Sequence, residues 1–146
     1  MTWRPLSLLL LLLLTAATQP APSSTDLSVA TQGLRNTRGV VHFCLTKAAS
    51  RFMDCQKDPG SARLTVPAAQ ASRVAFHQVA AGTYALIAFH DENGNAKLDM
   101  TLGIPREGFA FSNNPTIRMR APTYAEVKFD LLPGASTQAI RFRYVL

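Results

Sequence analysis

The feature that most constrains this chain is the period of two in its apolar residues. Ile140, Phe142, Tyr144 and Leu146 alternate with Arg141 and Arg143, and Val127, Phe129 and Leu131 alternate with Glu126, Lys128 and Asp130. Successive side chains on a strand point to opposite faces, so these runs read as strands with one buried and one wet face. Val41, Phe43 and Leu45 form another such face, and Leu27, Val29 and Thr31 a weaker one. The stretches 62–66 and 73–79 are further strand candidates. Residues 84–89 differ, being apolar on both faces. That pattern predicts a central strand covered on both sides, with Tyr84, Leu86, Ile87 and Phe89 in the core.

Turn residues separate these runs, at 36–39, Pro59-Gly60, Gly82, Asn93-Gly94 and Pro133-Gly134. Beyond an N-terminal leucine run, no stretch holds a helical period for three turns. Strands with frequent turns predict an all-β domain: a two-sheet antiparallel sandwich of about seven strands, immunoglobulin-like or prealbumin-like.

The start of the chain carries a different signal. Arg4, then Leu6 and Leu8 to Leu14, then the small residues Thr15-Ala16-Ala17 have the order of a secretory leader. The apolar run is much shorter than the roughly 20 residues of a membrane span. Residues 1–17 are therefore read as a signal peptide cleaved before Thr18, which leaves no transmembrane segment. Residues 18–26, rich in Pro and Ser, read as a linker, and 27–146 as one domain. The expected location is outside the cytoplasm, in the periplasm or beyond.

Export bears on the two cysteines, Cys44 and Cys55. In an oxidising compartment an even pair reads as a disulfide. Two sulfurs with no CxxC motif or histidine cluster make a poor zinc site. The net charge is +6, one less once Arg4 leaves. The arginines are scattered singly with no basic run, so no nucleic-acid footprint is visible.

The densest chemistry follows the central strand, from His90 to Asn114. Asp91, Asn93, Asn95 and Asp99 fall at the 1, 3, 5 and 9 spacing of a calcium loop. Ala96 stands where such a loop has glycine, and Leu102 where it has its bidentate glutamate, leaving Glu107 to fold back. Two carboxylates beside Lys97 imply weak affinity, on the order of 10⁻⁴ to 10⁻³ M. The competing reading is architectural: Asn-Gly favours tight turns, and Asp and Asn side chains cap backbone N–H groups. For catalysis the candidates are His90, Asp91, Glu92, Glu107 and Ser112. Strand alternation puts His90 and Asp91 on opposite faces, and His77 lies on another strand. Glu92 and Glu107 could serve as paired carboxylates. No GxSxG, HExxH or Cys-His signature occurs.

The segment "GTYALIAFHDENGNAKLDMTLGIPREGFAFSNN" and the later "APTYAEVKFDL" resemble the DUF2141 family of exported bacterial proteins. Ala96 departs from it, a glycine being usual there, and the cysteine pair is similar to that of a subset of the family. The resemblance implies a signal peptide, one compact β-rich domain, no assigned function and no catalytic residues to carry over. The expectation is thus an exported, non-catalytic β-sandwich module of the cell envelope. Its loop 91–114 would bind calcium or an envelope or extracellular ligand. The alternatives are a hydrolase-type enzyme using Glu92 and Glu107, and a purely structural envelope protein.

Overall fold

The computed structural model describes Met1, residues 24–118 and residues 120–146. The expected signal peptide lies outside the described residues, Met1 apart. So does the linker up to residue 23. Ser24 to Asp26, assigned to the linker from composition, instead begin the first strand, where Thr25 and Asp26 pair with Gly134 and Ala135.

Among the described residues ten strands form: β1 (Ser24–Gln32), β2 (Val40–Thr46), β3 (Ala62–Pro67), β4 (Arg73–Ala80), β5 (Gly82–Asp91), β6 (Met100–Thr101), β7 (Ile104–Pro105), β8 (Gly108–Phe111), β9 (Phe129–Leu131) and β10 (Gly134–Arg141). The excess over seven comes from β6, β7 and β8, pieces of two to four residues too short to show a period; the strand expected at 127–131 forms only over Phe129–Leu131, because Val127 closes a helical turn instead. A small sheet has the order β10-β1-β4, and a large one the order β3-β2-β5-β8, with β9 also pairing β5. Strand pairs are antiparallel with one exception to the expected pattern: β1 and β10 run parallel. Alternation along a strand says nothing of its neighbour's direction.

The two sheets pack face to face. The small sheet contributes Leu27, Val29, Val74, Phe76 and Ile140, and the large one Val41, Phe43, Leu45, Tyr84 and Leu86. Full burial of each such side chain stabilises by roughly 1.5–3 kcal/mol. Past Arg141 the chain leaves the small sheet and Arg143 bridges to Phe109 on β8, closing one side of the sandwich.

The outer face of the large sheet is covered only in part. A 3₁₀ segment (Phe52–Lys57) and a single helical turn, α1 (Tyr124–Val127), bury Ala85, Phe109 and Phe111 beneath Phe52 and Val127. Cys44 and Cys55 form a disulfide, with Cα atoms 6.1 Å apart, that ties the 3₁₀ segment to β2. Closing a loop of this size stabilises by about 3 kcal/mol in the chain-entropy account. Ile87 and Phe89 are only half-buried, contrary to the expectation of a strand covered on both faces. Their apolar face is real, but among the described residues only the 3₁₀ segment and α1 lie over it, and they cover it in part.

Candidate functional site: the loop after β5 and the groove beside it

Asp91 ends β5, opposite Val40. Its carboxylate is 1% exposed and gathers the turn around itself. Oδ1 accepts the N–H groups of Gly94 (2.7 Å) and Asn95 (3.1 Å), and Oδ2 that of Ala96 (2.7 Å). His42 Nε2 lies 3.2 Å from Oδ2 and donates to it, because a carboxylate only accepts. Burial pushes the Asp91 pKa up, but these donors outweigh it and hold the carboxyl below its usual value. Gly94 and Ala96 take positive φ, +73° and +60°. Position 96 thus requires the left-handed conformation that glycine adopts most easily. Gly39 packs against this corner so closely that a Cβ would meet the Asp91 carbonyl oxygen at 2.0 Å.

The rest of the Asp/Asn set follows the same logic. Asn93 Oδ1 accepts from Asn95 N, and Asn95 Oδ1 from Lys97 N. The Asp99 carboxylate receives the side-chain amides of Asn93 (2.7 Å) and Asn95 (3.0 Å). Glu107, 4% exposed, folds back as anticipated, yet its two oxygens accept from the backbone N–H groups of Glu92 (3.0 Å) and Asp99 (3.1 Å). All five residues of the expected calcium set therefore lie in one loop, each with an oxygen engaged by an internal N–H donor. Among the described residues, no three His, Cys, Asp or Glu side chains are grouped so as to hold a metal ion.

Of the catalytic candidates, Glu92 and Glu107 line one small pocket of about 260 Å³ with Asp99 and Arg106, whereas His90 and Ser112 do not line it. His90 is fully buried on the inter-sheet side, opposite Asp91 as alternation requires. Its Nε2 donates to the Arg38 carbonyl and its Nδ1 accepts from the Tyr144 hydroxyl, both at 2.7 Å. Ser112 is buried where β8 leaves β5, its Oγ accepting from Leu86 N and donating to the Val127 carbonyl. His77 pairs with Asp26 on the small sheet. Glu92 is gripped by the Arg35 guanidinium and by Asn36. Arg35 also lies 4.5 Å over the Tyr144 ring and donates to the Leu146 carbonyl, pinning the C-terminal tail. Arg35 first, then Asn36, overcome the effect of burial and pull the Glu92 pKa down to about 2. A carboxylate held ionised this firmly is a poor proton shuttle at neutral pH. It is an acid-sensitive clamp instead. With a folded pKa below the unfolded value, its stabilisation is complete above about pH 5 and fades as pH falls toward 2. Urea midpoints of Glu92→Gln and the parent protein should therefore differ most near pH 6 and converge toward pH 2.5. A gap independent of pH would refute the clamp.

A second site, absent from the sequence reading, adjoins this loop. The exposed part of the large sheet's outer face forms a groove of about 750 Å³. Its floor is two rows set by register: His42, Phe89 and Phe109, then Cys44, Ile87 and Phe111. Ala96 to Leu98 and the β6–β7 hairpin form one wall, the 3₁₀ segment a second, and Arg118, Arg120, Ala121 and Pro122 a third. At the hairpin tip Leu102 and Gly103 both take positive φ, and Leu102 is 97% exposed. The alternating Ile87, Phe89, Phe109 and Phe111 were the available signal for this floor.

Fold and site together define a disulfide-linked all-β domain with a partly roofed apolar face beside a highly hydrogen-bonded Asp/Asn loop. The chain belongs to DUF2141, a family described as uncharacterized proteins conserved in bacteria, whose model matches residues 29–140. No curated protein and no solved structure matches the chain. Among the described residues no helix is long and apolar enough to cross a membrane.

Proposed function

We propose that this protein is an exported, non-catalytic module of the bacterial cell envelope that binds a ligand in the groove beside β5, with loop 91–114 as its wall. One observation carries the reading: a concavity of about 750 Å³ with an apolar floor, within the roughly 300–1,000 Å³ of small-molecule sites. The disulfide fits an oxidising compartment. The loop's hydrogen bonds favour a scaffolding role for Asp91, Asn93, Asn95, Asp99 and Glu107, which hold the β6–β7 wall in place. Calcium at these residues is the competing proposal, and it requires their oxygens to turn from N–H donors to an ion. Ala121→Trp tests the groove, since Ala121 is exposed and lines it. The added indole should abolish the blue-shifted fluorescence of bound Nile red, a neutral apolar dye, without lowering the melting temperature. Undiminished dye binding would place the ligand elsewhere.

A further inference from the structure

We propose that the groove takes the hydrocarbon chain of a single-chain amphiphile with an anionic head, a long-chain carboxylate. This deepens the binding reading above and rests on it.

The floor asks for hydrocarbon. His42 is its one polar side chain, and both ring nitrogens are already engaged, Nδ1 with Thr65 and Nε2 with Asp91. The ring stacks on Phe89 at 4.6 Å, so it offers the groove a flat surface rather than a hydrogen bond. Two rows on alternate residues lie about 7 Å apart, and three neighbouring strands span about 10 Å. That area suits one extended chain. The walls add Met53, Met100 and Ile104, which are 51%, 51% and 40% exposed. The thioethers of the two methionines are flexible and adapt to a chain without fixed shape.

The rim asks for an anion. Lys57, Lys97, Arg118 and Arg120 line the groove, with Asp54 the only carboxylate there among the described residues. Lys57 pairs with Asp54, and Arg120 with Glu126. Lys97 and Arg118, both exposed, stand on different walls and make no ion pair among the described residues. A chain seated on the floor would bring a terminal carboxylate to these two cations at the mouth. A cationic head would be repelled there, and an uncharged one would gain only the apolar contact.

The test is calorimetric titration of the purified protein, below micelle-forming concentrations, with dodecanoate, 1-dodecanol and dodecyltrimethylammonium. Dodecanoate should bind best and the ammonium worst, with added salt weakening only the carboxylate. Lys97→Glu combined with Arg118→Glu, both on the surface, should weaken dodecanoate by about tenfold or more and leave dodecanol unchanged. Equal binding of dodecanoate and dodecanol, or a double variant that binds dodecanoate normally, overturns the anionic head and leaves the groove. Failure of all three compounds to bind removes the groove reading itself.

Discussion

Asp91→Ala should lower the stability of the fold by about 3 kcal/mol, and by the same amount in millimolar calcium as in chelator. The size follows from what the carboxylate does. It accepts three backbone N–H groups and faces His42 while 1% exposed. Hydrogen bonds to a charged group contribute roughly 1.5–3 kcal/mol each. The sum is not reached, because the exposed turn can open and let water take some of the orphaned donors. The calcium arm separates the two proposals for the loop. An ion that binds only the native state adds RT ln(1 + [L]/Kd), about 2.7 kcal/mol at a hundredfold excess over Kd. If calcium is a ligand, the parent protein gains that increment and the variant does not. Chemical denaturation with and without calcium decides it. A calcium-dependent gap would make Asp91, Asn93, Asn95, Asp99 and Glu107 an ion site after all.

Leu86→Ala should cost about 2–5 kcal/mol, the range for emptying a well-packed aliphatic site, whereas Ile87→Ala, one residue along, should cost markedly less. Leu86 is fully buried between the sheets, among Phe43 and Leu45 on the neighbouring strand and the small sheet beyond. Its backbone is also held by Ser112, so little slack exists for the cavity to collapse. Ile87 points to the other side and is half-buried at the groove floor. There the lost methyl groups leave an enlarged groove rather than a sealed void. Denaturant midpoints of the two variants give the comparison. Equal costs would mean that the groove is closed in solution and the outer face is a second core.

Much of this was readable from residues alone. Alternation placed β2 and β5 and identified the inward residues of β2, because a strand's period is independent of what it packs against; it put the last strand at 140–146, whereas β10 spans Gly134–Arg141 and Leu146 is exposed. The cysteines and the membership in DUF2141 were equally legible. What escaped was the fate of the second face of β5. Ile87 and Phe89 read as core because apolar residues on both faces normally imply cover on both faces. Among the described residues only a 3₁₀ segment and one helical turn stand over that face, and they leave Ile87 and Phe89 half-buried. Within the loop, spacing picked out five oxygen-bearing residues but could not choose between an ion and N–H donors at the centre. An oxygen that caps a turn and one that ligates calcium have the same sequence signature. The roles of Arg35 and Tyr144 were invisible, since they arise from contacts between distant parts of the chain.

The parallel pairing of β1 with β10 has a consequence for how the molecule is made. Gln32 and Arg141 are partners across 109 positions, and β1 lies in the middle of its sheet. Although β1 can pair with β4 earlier, its sheet is therefore incomplete until the last strand is made. Such high contact order slows folding, because the entropy of a long loop is lost before any contact rewards it. A chain of this kind reaches its complete fold only when its last strand is made, and that delay is compatible with the export proposed above.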